Sequence, residues 1–118
     1  MSVGDDLRDR TKKLAVRVVR LFRALPRSTE AYVLGKQLLR CGTSVAANYR
    51  AACRGRSKAE FIAKIGIVAE EADETVFWLE MLVDCEIVPA PNLEPILKEA
   101  RELAAIFSSS QHTARLRT

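Results

Sequence analysis

Two strict heptads constrain this chain more than any other feature. The first runs Leu7, Thr11, Leu14, Val18, Leu21 and Leu25, broadened by Ala15, Val19 and Phe22. The second runs Phe61, Ile65, Val68, Ala72, Thr75, Leu79 and Leu82. Both advance in alternating steps of four and three, and a period of about 3.5 residues belongs to helices packed at a shallow angle along a shared seam. A strand repeats every two residues, so neither segment can keep its apolar face as a sheet.

The punctuation between the heptads divides the chain into four helices. Asp5, Asp6 and Asp9 favour a helix start near residue 6 through the helix dipole, and Pro26 ends that helix near residue 25. A second helix is expected over 29–53, with Leu34, Leu38, Cys41 and Val45 inward. Its internal Gly35 and Gly42 each cost up to about 1 kcal/mol relative to Ala, a cost a helix keeps where a neighbour must approach closely. This makes the second helix the expected centre of burial. Arg54-Gly55-Arg56 is a turn, and Ser57 with Glu60 forms a capping box for a helix over 57–85. After Pro89 and Pro91, Asn92 is expected to cap a last helix over 92–110, leaving QHTARLRT, residues 111–118, as a frayed basic tail. Short links between four helices specify one domain over 1–118: an all-α, up-down-up-down, left-handed four-helix bundle.

With 118 residues the chain has the size of one ordinary domain. No apolar run approaches the ~20 residues of a membrane span, and the first ten residues lack the basic-then-apolar order of a secretory signal. A cytoplasmic, non-membrane protein is expected. Cys41, Cys53 and Cys85 are widely spaced, and His112 is the single histidine. A zinc site needs about four ligands at close spacing, so no metal or cofactor is expected, and the cysteines read as small core residues.

The net charge of +4 conceals a division. Residues 1–64 carry fifteen Lys/Arg against five Asp/Glu, a net +10, whereas residues 65–118 carry four against ten, a net −6. Either the halves neutralise each other, within the fold or between subunits, or a basic face stays open to a polyanion. Arg17 and Arg20, in a stripe with Arg10 and Lys13, and Arg50, Arg54, Arg56 and Lys58 around the turn are the candidate phosphate-binding residues. No aromatic residue interleaves with this stripe on the first helix, which points to RNA contact through charge and shape rather than base identity. The carboxylates Glu70, Glu71, Asp73 and Glu74, with Glu99 and Glu102, resemble the magnesium cluster of all-α nucleotide pyrophosphohydrolases. The heptad opposes that chemistry, because Glu70 and Glu74 point about 160° from the core position Ala72 at 100° per residue. With no nucleophile–base pair and no glycine-rich phosphate loop, the chain is not expected to be an enzyme.

The run TSVAANYRAACRGRS…EF…EEADETVFWLEML resembles the four helix bundle protein family, first noticed as proteins encoded in intervening sequences of bacterial 23S ribosomal RNA genes. The matching signature is Ser44 and Asn48 with the adjacent Tyr49, then Ser57 and Phe61, then Glu71, Ala72, Glu74, Thr75, Trp78 and Leu79. The chain departs from the family pattern at Ala51 and Glu70, where members often carry Glu and Lys. The resemblance implies a homopentameric ring and an association with RNA or other nucleic acid. Related accessory proteins of diversity-generating retroelements also bind a reverse transcriptase, so a protein-interaction scaffold is the alternative function. The +10/−6 division offers such a ring a contact, basic flank of the first helix against acidic outer face of a neighbour's third. Ser44 with Asn48, one turn apart, reads as a polar pair that bridges helices or binds backbone, and Trp78 as a core-edge or interface residue.

Overall fold

The computed structural model describes residues 2–117 and, among them, contains four helices and no strand. Helix α1 spans Val3–Ala24, α2 Thr29–Cys53, α3 Lys58–Asp84 and α4 Ala90–Leu116. Together they form a body of 46 × 25 × 21 Å. Successive helices run in opposite senses: Val18 meets Gly42 while Leu25 meets Gly35, and Glu80 meets Arg101 while Lys58 meets Arg117. The amino ends of α1 and α3 and the carboxyl ends of α2 and α4 therefore share one end of the bundle.

The heptads fill the centre. Leu14, Val18, Leu38, Val45, Ile65, Val68, Leu79, Leu82, Leu103 and Phe107 are buried. Across the diagonal, Tyr49 of α2 packs its ring on Phe107 of α4, centroids 5.2 Å apart. Helix α2 buries Ala31, Gly35, Leu38, Cys41, Gly42, Val45, Tyr49 and Ala52, as its small residues require. A Cβ on Gly42 would stand 2.9 Å from Val18 Cγ2, and one on Gly35 would stand 2.6 Å from Leu25 Cδ1. Both glycines bring α1 onto α2.

Several expectations are corrected. Helix α1 starts at Val3 rather than near residue 6, because Ser2 and Asp5 form a reciprocal capping box. Helix α3 starts at Lys58, with Ser57 as its N-cap outside the helix, and ends at Asp84. Glu86 then takes a left-handed conformation, φ 59°, in the turn to α4. Helix α4 begins at Ala90, after Pro89, so Asn92 lies inside it and caps nothing. Residues 111–116, expected to fray, continue α4, and Gln111 packs beside Gly66 of α3. Residue 118 lies outside the described residues.

Phe61 is the largest departure within a heptad: it sits only three residues past the helix start and is 37% exposed. Ile65, one turn deeper, is the first fully buried residue of that seam. Among the cysteines only Cys41 is buried; Cys53 and Cys85 are exposed near helix ends rather than in the core. No helix among the described residues is long and apolar enough to cross a membrane.

Candidate functional site

Charge in this molecule is handled one way at the α2–α3 and α1–α4 pairs and another at the α1–α2 pair. Between α2 and α3, Arg40 donates to both oxygens of Glu71 at 3.2 and 3.3 Å and to Glu74 at 2.7 Å. Beneath that fork, Thr75 donates to the Glu71 carbonyl at 2.7 Å and lies 3.4 Å from the buried Cys41 sulfur. Burial pushes the Cys41 thiol above its ordinary range, and the hydrogen bond to Glu74 raises the affinity of Arg40 for its proton. Between α1 and α4, Arg10 grips Glu99 at 2.7 and 3.1 Å and Glu102 at 3.1 Å. In both places a cation from the basic half meets carboxylates from the acidic half.

The α1–α2 pair is different, because both helices come from the basic half. Arg8 and Lys12 of α1 and Arg50 and Arg54 of α2 line a groove of about 430 Å³ floored by Thr43, Ala46 and Ala47. Each pair is four residues apart, so each helix repeats its cation after about 6 Å of rise. Small floor residues keep the groove open. Arg8 also pairs with Asp5. Among the described residues Lys12, Arg50 and Arg54 have no ion-pair partner. Four cations around one cavity can hold two adjacent phosphates by charge-assisted hydrogen bonds.

Of the expected phosphate ligands, the structure brings Arg50 and Arg54 together and sets Arg56 on the adjoining turn and Lys58 at the first residue of α3. The Arg56 amide donates to Glu60 at 2.7 Å, while the Lys58 ammonium donates to the Arg117 carbonyl at 2.8 Å. Arg17 and Arg20 are not part of this groove. Seen down α1 they lie about 180° and 120° from Arg8, and Arg20 is about 12 Å farther along the axis than Lys12. Sequence reasoning missed Arg8 and Lys12. Their signal was the same four-residue step as Arg50 and Arg54, on the flank of α1 facing the glycines of α2.

The signature residues take structural places. Asn48 donates to the Ser44 hydroxyl at 2.8 Å and to the Ser44 carbonyl at 3.0 Å, within α2 and without bridging helices. Glu71 and Glu74 hold Arg40. Tyr49 is buried, and burial pushes its phenol up to about 12. Trp78 lies at the core edge in a T-shaped contact with exposed Phe77, centroids 4.9 Å apart, and its buried Nε1 has no hydrogen-bond partner among the described residues. Among the described residues no group of three or more His, Cys, Asp or Glu stands ready to hold a metal ion.

The 23S rRNA-intervening sequence protein family model matches residues 6–109, nearly the whole described chain. The chain belongs to that family. A crystal structure from Bacteroides thetaiotaomicron, of a protein of unknown function from the S23 ribosomal protein family, superposes with a TM-score of 0.84 at 35% identity. The alignment covers 92% of this chain and 97% of that one, so this member of the family shares its neighbour's fold over most of its length. No curated protein shows significant similarity to it.

Proposed function

We propose that this family member is a non-catalytic, cytoplasmic RNA-associated protein that binds phosphates in the α1–α2 groove and works as a homo-oligomer. The observation carrying this proposal is the convergence of Arg8, Lys12, Arg50 and Arg54 on one cavity, with Arg56 on the turn and Lys58 at the start of α3 continuing the charge. Acidic residues of the same chain neutralise Arg10 and Arg40, so internal pairing accounts for part of the basic half and leaves this end in excess. Phosphate contacts supply affinity without base identity, which suits structured RNA read by shape.

The proposed assembly is a left-handed bundle repeated in a ring, a pentamer by family resemblance. Val16, Arg17 and Arg20 along the outside of α1 complement Ile67, Glu70, Asp73 and Phe77 along the outside of α3. Val16, Ile67 and Phe77 are 40%, 38% and 48% exposed, large for apolar side chains. A contact between two different faces is heterologous and forms a ring when the rotation between subunits closes, a filament when it does not, and repeated grooves on a ring raise weak affinity by avidity.

The test is RNA binding across a salt series for the wild type and for Arg50→Ala/Arg54→Ala/Arg56→Ala, with light scattering alongside. Affinity should fall steeply with salt, with a shallower slope in the variant, and the wild type should run as an oligomer. A wild type that stays oligomeric yet binds no RNA at low salt would favour a protein-interaction scaffold, such as an accessory subunit of a reverse transcriptase.

A further inference from the structure

The turn 54–57 joins two cavities at the same end of the bundle. One is the α1–α2 groove. The other, also about 430 Å³, opens between the start of α3 and the end of α4, lined by Lys58, Phe61, Ile62, Ser109, Thr113 and Arg117 among others. It differs from the groove in kind. Phe61 offers an aromatic ring that is 37% exposed, although its heptad position directs it inward. The hydroxyls of Ser109 and Thr113 have no hydrogen-bond partner among the described residues, while Ser110 donates to the Ile106 carbonyl. Lys58 and Arg117 supply positive charge at the rim, and Lys58 ties the two helices together through the Arg117 carbonyl at 2.8 Å. An apolar ring with free hydroxyls and a cationic rim fits a flat, hydrogen-bonding, anion-linked group better than it fits an apolar side chain.

We infer that this cleft takes one unpaired nucleobase of an RNA strand, stacked on Phe61, while neighbouring phosphates follow Arg56, Arg54 and Arg50 into the groove. The inference rests on the RNA-binding function proposed above and sharpens its ligand: a single-stranded segment or loop rather than continuous duplex. Single-stranded RNA presents splayed bases that stack on aromatic side chains, whereas paired bases in an A-form helix are not available to do so. Because every base has a π-face, a lone phenylalanine gives stacking with little sequence preference. Ser109 and Thr113 would add contacts at the base edge. The cleft therefore distinguishes single from paired strands without reading a particular sequence.

The test uses the full chain and three RNA probes of about twelve nucleotides, within the usual site size for single strands: an intact single strand, the same strand with abasic positions, and a duplex. Binding is compared for the wild type, Phe61→Ala and Phe61→Leu, with thermal melts checking the fold. The intact strand should bind both variants about ten-fold more weakly than the wild type, with an unchanged salt slope. The abasic strand and the duplex should bind all three proteins alike. Equal binding of the intact strand to wild type and Phe61→Leu would overturn the base pocket and leave the phosphate groove standing. A loss of similar size on the abasic strand would also overturn it. If the wild type binds none of the three probes at low salt, the RNA-binding proposal itself fails.

Discussion

Arg40 and Arg50 lie on the same helix, about 15 Å apart, and meet opposite surroundings. At the α2–α3 seam Arg40 is held by Glu71 and Glu74. In the α1–α2 groove Arg50 faces Arg8, Lys12 and Arg54. The difference follows from chain order. Helices α1 and α2 both belong to the segment with net +10, while most of α3 and all of α4 belong to the segment with net −6. Helices consecutive in sequence are antiparallel neighbours in an up-down bundle, so the α1–α2 interface joins basic to basic and the α2–α3 interface joins basic to acidic. A charged residue here is structural or available according to which helix it faces.

The comparison breaks most severely if the two helices flanking the groove are forced apart. Gly42→Val should destabilise the fold by about 2–3 kcal/mol through overpacking, since even a Cβ there meets Val18 at 2.9 Å. Chemical denaturation should show the loss, with RNA binding weakened along with it. Next, Arg40→Ala removes the seam cation. With Arg40 half exposed and Glu71 largely covered, at 50% and 17%, the cost should be about 1 kcal/mol, measured in the same way and reduced by salt.

A smaller effect concerns Tyr49, buried against Phe107 with its hydroxyl 3.7 Å from a Cβ position on Gly4. Burial pushes its phenol from 10.0 up to about 12, and the neighbouring Cys53 adds to the shift. A raised folded-state value means the neutral phenol is favoured in the fold. Its stabilisation should be complete below pH 10 and lost as pH rises through about 12. Ultraviolet titration should show Tyr49 ionising well above the ordinary phenol range. The mildest probe is alkylation. Cys53 and Cys85 should react in the native protein, while buried Cys41, whose thiol burial holds in the protonated form, should react only on unfolding.

Sequence alone specified the bundle because the two heptads and the prolines leave no other periodicity to follow. Gly35 and Gly42 marked α2 as a helix that some neighbour approaches closely, and the structure supplies α1 as that neighbour. Helix ends were less legible. The Ser2–Asp5 capping box was overlooked in favour of the aspartates that follow, and the helical end of α4 depends on contacts with α3 such as Gln111 beside Gly66. At the candidate site, Arg50 and Arg54 were evident from local density, but Arg8 and Lys12 become their partners only through helix pairing. Arg17 and Arg20 show the converse, since a stripe that is continuous along α1 faces away from the groove. Heptad phase also assigns Phe61 inward regardless of where the bundle ends, and its exposure is a property of the end.

The division between available and structural arginines is tested most directly by a crossed pair of variants. Arg50→Ala/Arg54→Ala and Arg40→Ala are each measured for thermal stability and for RNA affinity from low to moderate salt. The groove variant should melt like the wild type yet lose affinity, with its salt slope reduced by about 1.4 to 1.8 for two lost phosphate contacts. The seam variant should melt earlier and keep the wild-type slope. If both variants lose affinity and slope to the same extent, or if the groove variant alone loses stability, the distinction drawn between these two regions is wrong.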